Sequence, residues 1–139
     1  MLSSGGAFIF NVWDRIETNE FAKAVTDAAG EIFPDDPPLF LARTPHGHHD
    51  IDVSKDKVIK AGFSGVEIVT VTETSTAPSP RHPAIAYCQG TPLRNEIETR
   101  DSKLLDHVTE MAAQKIEKLY GDEVVSVKIQ GHIVIATVD

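Results

Sequence analysis

Gly5-Gly6-Ala7-Phe8-Ile9-Phe10-Asn11-Val12-Trp13-Asp14 is the stretch from which the fold is read. After the glycine pair only Asn11 interrupts an apolar run that is too short for a membrane span and is bounded by turn-formers, which predicts a strand. Near-continuous apolar strands belong to parallel α/β sheets with helices on both sides. The expectation is a strand over Ala7–Trp13 buried on both faces, with its parallel partner supplied from later in the chain, from a second copy or from sequence outside it.

Outward from that strand, Thr18 is placed to cap a helix over about 19–32, in which Phe21, Ala24, Val25, Ala28 and Ile32 form an apolar stripe. Pro34 ends it. Four prolines and a short apolar island, Leu39–Ala42, make 33–50 a long loop of the kind that carries function. Asp50 or Asp52 caps a second helix running to Ala61, with Val58 and Ile59 inward and Gly62 in the left-handed position after its end. Val66–Thr74 reads as a strand, 75–83 as a Pro/Ser loop, and Pro83–Cys88 and Leu93–Thr99 as short helices. Asp101 or Ser102 caps the longest helix, about 103–120, with Leu105, Val108, Ala112, Ile116 and Leu119 inward and Gly121 at its end. Glu123–Val138 is a final strand with Val125, Val127, Ile129, Ile133 and Ile135 on one face and a bulge at Gly131. The whole is a single α/β domain, 1–139, with a sheet of three strands and helices between them.

Composition narrows the partners. The length and apolar fraction suit one soluble core, and a net charge of −8 with thirteen scattered basic residues argues against nucleic acid or an anionic membrane surface. Cys88 is the only cysteine, so no internal disulfide forms, and the absence of a signal-peptide pattern points to the cytoplasm.

Among residues suited to chemistry, His46, His48, His49 and Asp50 form the densest cluster; the spacing invites zinc, but no further ligand is placed to complete a site. Asn11, Trp13, Asp14 and Arg15 follow the carboxyl end of the first strand, where open α/β sheets bind ligands. Cys88 lacks a basic partner that would activate it and reads as an inert buried thiol. Neither a nucleotide-binding glycine loop nor a serine-hydrolase elbow is present.

Three runs together resemble the C-terminal half of a class I S-adenosylmethionine-dependent methyltransferase of the small-molecule type. Ser4-Gly5-Gly6 with the apolar run to Asp14 is similar to the family's fifth strand and its entry turn, with serine in place of the usual proline. Asp50 to Val66, closing on Lys60-Ala61-Gly62-Phe63, resembles the helix and entry of the sixth strand, and the segment from Val124 resembles the seventh. The resemblance implies a partial Rossmann-like, three-layer sheet of local order 5-7-6, the last strand antiparallel. It also implies cap segments at about 34–50 and 75–100 over an acceptor pocket, with Arg43–Gly47 and Ala84–Leu93 as their most distinctive runs.

The residues that the resemblance brings to a small-molecule acceptor are Trp13, Arg15, His46, His48, Tyr87 and Gln89, with His46 or His48 able to take a proton from an acceptor hydroxyl. The family's cofactor is S-adenosylmethionine. Its glycine-rich loop and ribose-binding carboxylate belong to the N-terminal half and have no counterpart in this sequence, so the chain alone is expected to bind no cofactor and to be inactive. A free, uncharged strand edge at 7–13 further implies a homodimer through that edge, or a partner chain supplying the N-terminal half.

Overall fold

The computed structural model describes residues 2–139. Three strands, β1 (Ala7–Trp13), β2 (Gly65–Ala77) and β3 (Val125–Thr137), form one sheet in the order β1-β3-β2. β3 is antiparallel to both neighbours, so β1 and β2 run parallel to each other with the last strand between them. Six helices complete the α/β fold: α1 (Glu20–Ile32), α2 (Phe40–Arg43), α3 (Ile51–Lys60), α4 (Arg81–Gly90), α5 (Leu93–Arg100) and α6 (Leu105–Tyr120). No helix among the described residues is long and apolar enough to cross a membrane.

Side chains of paired residues point to the same side of a sheet, so the register assigns every strand residue to one of two faces. Odd-numbered residues of all three strands share one face, because Trp13 pairs with Gly131 and Gly131 with Val71. At one end of that face Val125 and Val127 are sealed into the main core with Val25, Leu93, Val108 and Ile116 of α1, α5 and α6. The even face is covered at the opposite end. There Val58 of α3 packs on Val134, Ala136, Phe10, Val66 and Ile68.

This staggered cover overturns the expectation that β1 is buried on both faces. β1 has one neighbour and one covered side; Ile9, on the odd face, is 63% exposed, and even Phe8, stacked against Phe63, remains open at the rim. A run apolar on both faces therefore sits at the sheet's edge with one face bare.

The remaining corrections are local. β3 keeps an unbroken register through Gly131, so there is no bulge; a Cβ there would press on the neighbouring backbone, 3.2 Å from the Val12 carbonyl oxygen, while meeting the Trp13 ring at an ordinary contact distance of 3.6 Å. Ile129, Ile133 and Ile135 share a face with Val125 and Val127, as the alternation requires, but lie beyond the helices that bury those two. Ile59 and Leu119 point to solvent, because each apolar stripe is narrower than the sequence suggests. Asn19, not Thr18, precedes α1, after a 3₁₀ turn at Ile16–Thr18, and the island Leu39–Ala42 lies at α2. The capping carboxylate of α3 is that of Asp50, which accepts from the backbone N–H groups of Asp52 and Val53, and Gly62 (φ +97°) and Gly121 (φ +104°) follow the ends of α3 and α6.

Candidate functional site

The carboxyl end of β1 is locked in place by a single side chain. Asn19 donates to the carbonyl oxygens of Asp14 (3.3 Å), Arg15 (3.1 Å) and Gln130 (3.2 Å), and its own oxygen accepts from the Gln130 backbone N–H (3.1 Å). The amide thus ties the turn after β1 to the middle of β3. Trp13, the last residue of β1, pairs with Gly131 immediately before that turn.

The first cap segment brings His46 to Trp13. After α2 the chain folds back so that the His46 N–H donates to the Leu41 carbonyl (3.1 Å), and Gly47 passes so near α2 that a Cβ would fall 1.9 Å from the Arg43 carbonyl oxygen. Only glycine fits there. His46 is 5% exposed, and its Nδ1 lies 2.8 Å from the Asp14 carbonyl oxygen. A carbonyl oxygen only accepts, so Nδ1 carries the hydrogen and Nε2 presents a lone pair. Burial holds the His46 pKa below its ordinary value, against the opposing pull of the Asp14 carbonyl and of the Asp14 and Glu17 carboxylates. The ring is therefore neutral at pH 7. Its centroid lies 6.1 Å from that of Trp13.

The second cap segment closes the opposite wall. The end of α4 presents Tyr87, and Thr91 fixes the turn beyond it by donating to the Tyr87 carbonyl (2.7 Å) and accepting from the Leu93 N–H (3.2 Å). Burial pushes the Tyr87 phenol above its ordinary pKa, so it stays protonated. Between the caps and the end of β1 is a cavity of about 420 Å³ lined by Trp13, Phe40, His46, Tyr87, Pro92 and Ile129, among others, with no charged side chain in its wall. That volume suits a small organic molecule.

Three of the six sequence-predicted residues meet there: Trp13, His46 and Tyr87. The other three do not. Arg15 opens onto a separate cavity beside the N-terminus of α3, His48 is exposed, and Gln89 turns back to hydrogen-bond the Thr109 hydroxyl (3.2 Å). His49 hydrogen-bonds the His46 carbonyl through Nδ1, and among the described residues no three His, Cys, Asp or Glu side chains are placed to share one ion. Cys88 is buried and its thiol is pushed up to about 11 by burial, which makes it inert.

Sequence reading missed Phe40, Asn19 and a polar chain behind the pocket. His132, 5% exposed, places Nε2 3.3 Å from an Asp14 carboxylate oxygen and Nδ1 2.8 Å from the Thr70 hydroxyl, while the Gln130 amide reaches the other Asp14 oxygen at 2.5 Å. Burial raises the Asp14 pKa, but hydrogen bonds from the Arg15 N–H, Gln130 and His132 outweigh it and leave the carboxyl below its ordinary value. The signal was there to read: Gln130 and His132 are polar residues on the side of β3 that Val134 and Ala136 bury.

No protein-family model matches the chain, and no curated protein sequence matches it significantly. The residues present do not fit S-adenosylmethionine. Such a cofactor needs a glycine turn between a strand and a helix for close backbone approach. The two strand-to-helix connections, Asp14–Asn19 and Pro78–Pro80, contain no glycine, and Gly5-Gly6 leads into a strand instead.

Proposed function

We propose that this chain is the acceptor-binding, C-terminal half of a class I S-adenosylmethionine-dependent methyltransferase acting on a small molecule. The observation that carries the reading is the placement of an uncharged, capped pocket at the carboxyl end of β1, in a sheet whose last strand runs antiparallel between two mutually parallel ones. In the family's numbering the order is 5-7-6. The free edge of β1 and the bare odd face beside it are where the rest of a parallel sheet and its helices would dock.

Methyl transfer depends on holding donor and acceptor in line, and this chain supplies only the acceptor side. It is therefore inactive alone. Calorimetric titration of the chain with S-adenosylmethionine or S-adenosylhomocysteine should give no binding heat. A fusion behind the cofactor half of a small-molecule class I methyltransferase should bind S-adenosylhomocysteine and quench Trp13, the chain's only tryptophan. A folded fusion that binds S-adenosylhomocysteine without touching Trp13 fluorescence would refute the proposal.

A second reading, a non-catalytic homodimer joined through β1, is favoured by the edge itself: Ala7–Trp13 carries no charge and no proline to discourage pairing. Sedimentation at micromolar concentration separates the two, a monodisperse monomer counting against the dimer.

A further inference from the structure

The pocket's polar groups differ in what they have left to offer a ligand. Asn19 uses its whole amide on the β1 turn, and the Thr91 hydroxyl both donates and accepts within its own turn. His46 is different. Its Nδ1–H is held by the Asp14 carbonyl, while Nε2 has no hydrogen-bond partner among the described residues and is not among the sealed, unpartnered polar atoms. An imidazole fixed in this way presents one acceptor, and its orientation is set by backbone at both ends: the Leu41 carbonyl behind the His46 N–H and the Asp14 carbonyl beside the ring.

The rest of the wall selects by shape and charge. Trp13 and Tyr87, with Phe40 and Pro92, give flat apolar surfaces, which favour a planar ligand. No lysine, arginine, aspartate or glutamate lines the cavity, so a carboxylate, phosphate or ammonium group would lose its hydration with no counter-charge. From these observations we infer that the pocket binds an uncharged aromatic hydroxyl compound, a phenol or naphthol, whose O–H donates to His46 Nε2. The inference rests on the acceptor-half reading for its biological meaning, and on the pocket alone for its chemistry.

Two-dimensional NMR of the whole chain tests it without any methyl donor, with 2-naphthol and its methyl ether, 2-methoxynaphthalene, as probes. The ring nitrogens of His46 should report the tautomer protonated at Nδ1, and 2-naphthol should shift the single Trp13 indole N–H signal and the His46 Nε2 signal together. The ether has the same ring system but no donor and should bind about tenfold more weakly, the ratio that one hydrogen bond of ordinary net strength provides. In a folded His46→Ala variant that ratio should collapse toward one. Equal binding of naphthol and ether by the natural chain, a tautomer protonated at Nε2, or saturation by naphthol without a shift at Trp13 would each overturn the inference. The donor-binding fusion can fail while every one of these results holds, and the reverse, so the two claims fail separately.

Discussion

One face of the sheet is finished at one end and unfinished at the other. Val125 and Val127 of β3 lie fully beneath α1, α5 and α6, whereas Ile133, on the same strand and the same face, is 36% exposed and looks across at Ile9, Val69 and Trp13, all open to solvent. Sequence makes little distinction between these places, since all are β-branched or aromatic residues in regular alternation. The difference comes from which helices pack where: α1, α2, α4, α5 and α6 share the core at the β2–β3 end, and only α3 covers the β1 end, on the other side. Apolarity in a strand therefore marks a surface to be covered and does not say that this chain covers it.

The sharpest way to break the contrast is to cut into its finished end. Ile116→Ala should cost about 2–5 kcal/mol in urea unfolding, because a fully buried side chain leaves a cavity between α6 and its neighbours. Asn19→Ala should cost about 1–3 kcal/mol by the same measurement, since it strands the Gln130 N–H and frees the turn that carries Trp13. Asp50→Ala, which removes the cap of α3 and so loosens the only cover on the β1 end, should cost about 1 kcal/mol. Ile9→Ser should change the stability of the chain by less than about 0.5 kcal/mol, because Ile9 lies on the edge strand with 63% of its surface exposed. A large loss there, growing with protein concentration, would mean that a second copy closes the face in solution.

Acid offers a finer probe of the pocket wall. His46 is buried as a neutral ring with its pKa below the ordinary 6.5, so below that pH the unfolded chain binds a proton that the folded chain does not. Its contribution is intact above pH 6.5 and is lost as the pH falls toward the folded pKa. The urea midpoint should therefore drop between pH 7 and pH 5 by more in the natural protein than in His46→Gln, and equal drops would place the titrating group elsewhere.

How far the sequence could be read follows from the same contrast. Strand and helix positions, the glycines after α3 and α6 and the acidic cap of α3 were legible because each depends on local propensity or on short-range backbone chemistry. Trp13 was marked as pocket lining by its place at the end of a strand, whereas His46 and Tyr87 came with the family resemblance; the structure puts all three on one cavity. Arg15, marked on the same ground as Trp13, and His48 and Gln89, which came with the resemblance, lie away from that cavity, since neighbours in sequence alternate between inward and outward directions and only the turn geometry decides which points in. Phe40 was hidden inside an apolar island too short to show a period. The bulge expected at Gly131 failed for another reason: a glycine that lies close to the backbone of the neighbouring strand looks the same in one dimension as one that breaks register.

The two ends of the chain are stitched to one another: the Gly5 N–H donates to the Val138 carbonyl (2.8 Å), and the Val138 N–H to that of Gly6 (3.1 Å). A short peptide could join them, and the exposed turn at 121–124 would accept a new opening without cutting a strand or helix. In such a circular permutant the central strand would leave the ribosome first and its two neighbours would arrive to flank it. Its pairing with β1, now a closure between the two ends of the sequence, would become local, which lowers contact order and should speed refolding.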